Sequence, residues 1–242
     1  MSEKLIRLDK YIASVTDYSR SDAKKLIKRG WVSVDDQEVS KPDAQVAESA
    51  QVCIDGSPLR TAGFRYFMLH KPEGYVCANK DRLHSTVFTL LDEDNLDSLH
   101  VAGRLDIDTT GLVLITDDGR WAHNVTHPSR NCFKTYHVGT AEPIDQSYIE
   151  KFAEGVFIEH DKRRCLPAVL EILNWQSARL KIQEGKYHQV KQMFAALGNH
   201  VIELHREAVG DLNLGDLDEG EYRSLSPEEV ACFADVSAGS SV

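Results

Sequence analysis

The sequence predicts an α+β protein in two units, a small N-terminal module followed by a larger mixed, largely antiparallel sheet with helices packed on it. Residues 5–30 carry two amphipathic helical patterns, and short strand patterns follow up to residue 54. Turn chemistry at Asp55-Gly56-Ser57-Pro58 then sets a boundary near residue 60. Beyond it, apolar runs at Tyr66–Leu69, Leu112–Ile115, Phe133–Val138 and Val201–Leu204 read as strands. Helical patterns lie between them without a regular βαβ repeat. The expected domains are residues 1–60 and 61–235, with a small polar tail over 236–242.

In order along the chain, Leu8, Tyr11, Ile12 and Val15 fall at i, i+3, i+4, i+7, one face of a helix. Ser19 or Ser21 caps a second helix, whose apolar face is Ala23, Leu26 and Ile27 and whose stop is Gly30. Its other face carries Arg20, Lys24, Lys25, Lys28 and Arg29 against Asp22. Taken alone, five cations on one face read as a solvated surface. Trp31–Val34, a polar turn at Asp35-Asp36, and Val52–Ile54 complete the module as short strands. After the boundary, the strand Tyr66–Leu69 ends in His70-Lys71-Pro72-Glu73-Gly74, a rigid turn that presents a cation. The stretch from His84 to Leu99 carries no strong signal.

Composition narrows the function classes. With 42% hydrophobic and 27% charged residues, the chain reads as globular. No apolar run approaches the length of a membrane span, and the N-terminus lacks an apolar leader. Five scattered cysteines form no C-x-x-C pair, which fits a reducing cytoplasm and argues against a metal knuckle. No dinucleotide or phosphate-binding glycine motif is present, so neither cofactor nor metal is expected. The net charge of −10 is uneven. Residues 1–60 balance ten cations with ten acids, whereas residues 203–242 carry −8. A local basic patch can therefore meet a phosphate backbone despite the acidic total.

The organising stretch is Val101–Gly119. Arg104, Asp106, Asp108, Thr109 and Thr110 are packed between Gly103 and Gly111, ahead of the strand Leu112–Ile115. Three readings compete for it. Two acids and two threonines make a plain polar turn. Asp106 to Asp117 also mimics a twelve-residue calcium loop, but the apolar run inside it and the Asp at its last position argue against that. The third reading makes Asp106 a nucleophile with Arg104 beside it.

Two resemblances sharpen this picture. Arg7-Leu8-Asp9-Lys10, the Ser19–Gly30 spacing and Val32–Asp36 resemble the S4 (αL-type) RNA-binding module over about residues 5–55. This implies that Arg7, Lys10, Arg20, Lys24, Lys25, Lys28 and Arg29 track RNA phosphates. Gly103–Leu114, read G-R-L-D-I-D-T-T-G-L-V-L, resembles the catalytic-aspartate motif of the pseudouridine synthases. The K-P-x-G turn at Lys71–Gly74, Lys134-Thr135-Tyr136, Glu184–Lys191 and Leu204-His205-Arg206 continue the match in order. The chain is similar to the branch of that family that carries an S4 module.

The resemblance implies isomerisation of a uridine in small-subunit (16S) ribosomal RNA, uridine 516, free or in an assembling subunit, by a cytoplasmic monomer. It implies Asp106 as the reactive carboxylate, acting at sugar or base, Lys191 as its ion-pair partner with Lys186 as the fallback, and Arg104 in the place the everted base vacates. Tyr136 becomes the platform on which the base stacks, and Lys71, Lys134 and Lys186 become further RNA contacts. Asp108 reads as a structural acid bonded to loop amides, and His188 and His205 as scaffold histidines. Gln192 departs from the family, where many relatives carry a second basic residue. The rival class is a non-catalytic RNA-binding assembly factor, against which the intact Asp106, Arg104, Tyr136 and Lys191 set argues.

Overall fold

The computed structural model describes residues 5–16, 18–47, 50–59, 64–130, 132–159 and 162–233. The expected tail 236–242 lies outside them. The chain forms two compact units, residues 1–63 and 64–242.

In the first unit β1 (Leu5–Arg7) leads into α1 (Leu8–Val15), and Ser19 caps α2 (Arg20–Lys28) by accepting from the Asp22 amide. Leu8, Tyr11 and Ile12 of α1 meet Ala23, Leu26 and Ile27 of α2 in one core, as the periodicity requires. β2 (Val32–Val34) turns into β3 (Gln37–Glu38) through Asp35 and Asp36. Both have positive φ, the backbone of a tight hairpin turn. β4 (Gln45–Ala47) pairs β1, and β5 (Val52–Ile54) pairs β2 and β6 (Ser57–Pro58). Asp55-Gly56 is therefore the turn of the β5–β6 hairpin, inside this unit, rather than the boundary itself.

Asp9 is fully buried, and Arg7, Arg20 and Lys24 converge on its carboxylate at 3.1, 3.2 and 3.8 Å. The Arg7 hydrogen bond outweighs burial and holds this carboxyl below its ordinary 3.8. A depressed carboxyl stabilises the fold above the unfolded value and loses that contribution as pH falls through the native value. Asp9→Asn is expected to cost the unit about 2 kcal/mol near neutral pH. It should also flatten the acid limb of its stability curve below about pH 4, as read by urea titrations at stepped pH.

The second unit is built on a mixed sheet. Its strands are β7 (Tyr66–Lys71), β8 (His100–Ala102), β9 (Thr110–Thr116), β10 (Lys134–Thr140), β13 (Val169–Asn174), β14 (Ser177–Ile182), β15 (Val201–Val209), β16 (Leu212–Asn213) and β17 (Tyr222–Ser224). Between them lie α3 (Gly119–Thr126), α4 (Ser147–Ala153), the small hairpin of β11 (Phe157–Ile158) with β12 (Arg163–Arg164), α5 (Gln189–Ala195) and α6 (Pro227–Ala231). The spatial order is β13-β14-β10-β15-β9-β7-β17, with β8 on β9 and β16 on β15. Its ladders are antiparallel except β9–β15, which is parallel.

Alternating strand residues put Leu69, Val113, Tyr136, Val138 and Leu180 on one face, where α4 and α5 bring Phe152, Met193 and Phe194. Met68, Leu112 and Leu114 face the other way, against Trp121 and Val125 of α3. Asp106 sits on the loop between β8 and β9. This loop crosses the sheet where β9 meets β15, which brings it to the N-terminal end of α5.

Candidate active site

The loop of residues 103–109 is held from below by two buried cations that have no carboxylate partner among the described residues. Lys71 is 0% exposed and donates to the carbonyls of Pro72 (2.9 Å), Ile107 (3.3 Å) and Thr109 (2.7 Å). Arg206, 2% exposed, donates to Leu112 and Gly103, each at 2.7 Å. Gly111 is the other requirement. Its φ is +110°, and a Cβ there would lie 2.5 Å from the Arg206 nitrogen, so only glycine lets β9 approach β15. The Gly74 amide donates to the Ile107 carbonyl and docks the K-P-x-G turn under the loop.

Above this support, the Asp106 carboxylate is 28% exposed and has both oxygens engaged. Lys191 Nζ lies 3.5 Å from one and His188 Nε2 lies 3.4 Å from the other. Lys191 and His188 come from the start of α5, where the Gln189 side chain, bonded to the Lys186 amide and to Glu184, fixes the preceding turn. A cleft of about 80 Å³ opens over Asp106, with Tyr136, Ile182 and Leu204 among its walls and Arg104 exposed at its margin. Thr109 Oγ1 also lines it, buried and without a hydrogen-bond partner.

Asp106, Lys191, Tyr136 and Arg104 are thus brought together, but several sequence expectations change. Lys191 is shared, because its ammonium is also 2.5 Å from Asp108. Asp108 is an ion-pair partner rather than an acceptor of loop amides alone. Burial opposes its charge, yet the Lys191 hydrogen bond and charge hold its carboxyl below the usual range. Lys71 and Lys134 are not RNA contacts. Lys71 is sealed under the loop, and Lys134 is 5% exposed with its ammonium on the carbonyls of Val125 and Cys132. The cost of burying each charge is offset by carbonyl acceptors that no local pattern in the sequence reveals.

Lys186 directs its ammonium to Glu184 and the Arg164 carbonyl, not to Asp106. Arg7, Arg20 and Lys24 serve Asp9 while remaining about half exposed, and Lys10, Lys25, Lys28 and Arg29 stay at the surface. His205 is a scaffold histidine. Its Nδ1 meets Thr110 Oγ1 at 2.8 Å, and burial lowers its pKa.

A carboxylate flanked by two nitrogen bases, over a support of buried cations and beside a buried tyrosine, suits attack on a nucleoside. The comparisons agree with that chemistry. Residues 65–196 match the model of the RNA pseudouridylate synthase family, and residues 6–52 match the S4 domain. The chain belongs to the RNA pseudouridylate synthases. It is accordingly an isomerase that acts on uridine in RNA. It is 50% identical to the ribosomal small subunit pseudouridine synthase A of Escherichia coli (strain K12), over 93% of this chain and 99% of that one. It is 49% identical to the protein of the same name from Vibrio vulnificus, over 93% and 98% of the two chains. A crystal structure of a pseudouridylate synthase superposes with a TM-score of 0.68 at 43% identity, covering 94% of this chain and 99% of that one.

The residue that sequence reasoning missed is His188. It adopts a left-handed conformation (φ +47°) at the N-cap of α5. Its ring stacks on Tyr187 at 3.9 Å between centroids, which aims Nε2 at Asp106. The signal was its place three residues before Lys191. His188→Ala is expected to lower kcat roughly tenfold, within the usual contribution of a positioned hydrogen-bonding group. His188→Gln, which retains a donor, should restore part of it in single-turnover assays.

Proposed function

We propose that this chain converts one uridine of small-subunit (16S) ribosomal RNA, uridine 516, into pseudouridine, working as a monomer in the cytoplasm. The observation that carries the chemistry is Asp106, with Lys191 and His188 on its two oxygens in the cleft that Tyr136 walls. The relatives named for the small-subunit enzyme, near 50% identical along almost the whole chain, support the choice of RNA. Among the described residues, no helix is long and apolar enough to cross a membrane.

In this reading the RNA everts its uridine into the cleft, at a cost of a few kcal/mol. Stacking on Tyr136, worth about 1–3 kcal/mol, offsets much of that cost. Arg104, exposed and bearing no protein hydrogen bond, takes the place the base has left. The Asp106 carboxylate is the nucleophile, with the Lys191 ammonium 3.5 Å from one of its oxygens. Asp106 bonds transiently to the sugar or the base, the C1′–N1 bond breaks, the uracil turns, C1′–C5 forms, and the bond to Asp106 breaks again, freeing the carboxylate. The proton on C5 leaves and N1 takes one up, so atoms balance without any redox partner. The exposed cations Lys10, Lys25, Lys28 and Arg29 of the S4 module bind RNA phosphates in a salt-dependent way.

The test is to incubate the protein with 16S rRNA, free and in partly assembled subunits, and to map pseudouridine by a site-resolved chemical readout. Modification at uridine 516 in either substrate is expected. Modification only elsewhere, or none in either, would refute this target.

A further inference from the structure

A second cleft lies on the reverse of the sheet from Asp106. Thr135 and Lys181, register partners on β10 and β14, line it. Their immediate neighbours Tyr136 and Ile182 line the Asp106 cleft. Successive residues of a strand face opposite ways, so the two clefts sit back to back through the same two strands. The second is much the larger, about 450 Å³, within the range of sites that hold a small organic ligand.

Its lining is that of a nucleotide site. Phe133, 37% exposed, offers an aromatic face. Lys181 is exposed and has no hydrogen bond or ion pair among the described residues, and Arg130, which has a contact of its own, stands in the same lining with the acid Asp211. Two polar side chains more than nine-tenths buried line it with unused hydrogen-bonding atoms. Thr135 has no partner for its hydroxyl, and Asn124 uses only its amide nitrogen, on the Phe233 carbonyl. A donor–acceptor hydroxyl and an amide oxygen open to a cavity match the edge of a base, while the cations match its phosphate.

We infer that this cleft holds a second nucleotide of the RNA substrate, its base stacked on Phe133 and bonded to Thr135 and Asn124, its phosphate on Lys181 and Arg130. The inference rests on RNA being the substrate. It adds a grip on the strand that is independent of the everted uridine and of the S4 module.

The experiment uses the full chain and 16S rRNA. Phe133→Ala is expected to weaken RNA binding about fivefold or more, the loss of one base stacked on an aromatic ring. Phe133→Trp should restore it where Phe133→Leu does not. Lys181→Ala should lower the slope of log K against log salt by about one. Ultraviolet cross-linking followed by peptide mapping should place an RNA adduct within residues 132–135.

Melting temperatures of the variants within about 3 °C of the parent, as expected for partly exposed sites, separate binding from folding. Wild-type affinity in both alanine variants, with no adduct at that peptide, overturns the inference. So does saturation of the cleft by free uridine monophosphate with RNA affinity unchanged in the variants. Failure of the unaltered protein to bind 16S rRNA at all would instead overturn the choice of substrate.

Discussion

Asp106→Asn is expected to lower pseudouridine formation by about four orders of magnitude or more, while RNA affinity changes less than about twofold. Asparagine keeps the size of the side chain and can still meet His188, so the loop has no reason to move. What disappears is the negative oxygen pair that now faces Lys191 at 3.5 Å and His188 at 3.4 Å. Lys191 retains Asp108, which prevents an orphaned ammonium and keeps the variant folded. Single-turnover assays with site-resolved mapping, together with filter binding, check both halves of the expectation. A residual rate within about tenfold of the parent would show that another group does the chemistry. Asp108→Asn is the companion measurement. It removes the shorter Lys191 contact but leaves the Asp106 carboxylate in place, so its loss should be much smaller.

Lys71→Met is expected to destabilise the second unit and to weaken its active-site loop. Methionine fills the space but donates nothing, and the carbonyls of Pro72 and Thr109 lose their donor, while Ile107 keeps the Gly74 amide. At about 1 kcal/mol for each unsatisfied buried group, the loss is about 2 kcal/mol. For a domain of this size it corresponds to a fall in melting temperature of roughly 4–8 °C. Turnover should fall further than the unfolded fraction accounts for, since the Asp106 loop rests on those same carbonyls. Calorimetry and activity measured well below the transition separate the two. An unchanged melting temperature would mean that the ammonium contributes nothing net.

Much of the fold was legible because local chemistry and tertiary packing agree. The apolar stripe Leu8, Tyr11, Ile12 and the run Leu112–Ile115 could only become a helix face and a buried strand. Gly103 and Gly111 bracket a loop dense in polar residues, which kept a catalytic reading open beside a plain turn. Lys191 was named as the partner of Asp106 through the family resemblance, and the structure places the two 3.5 Å apart. Sequence reading failed where burial comes from distant carbonyls. Lys71 and Lys134 look like surface cations in any local window, and only the folded strands supply their acceptors. His188 escaped for a different reason. A histidine's role depends on its ring direction, here set by a left-handed backbone and a stacked tyrosine. Asp108 was misread because the cation it meets, Lys191, lies 83 residues further along the chain on α5, beyond any local window.

The ladder between β9 and β15 has two register pairs, against seven between β10 and β15 and six between β7 and β9. Asp106 belongs to one side of that seam, and Tyr136, His188 and Lys191 to the other. Side-chain packing, rather than backbone bonding, therefore clamps the two half-sheets together. Cold or dilute urea, which loosen apolar packing first, will part the enzyme along this fault line. Turnover will fall silent while each half still exchanges its amides slowly, so the catalyst reports on its own seam before it unfolds.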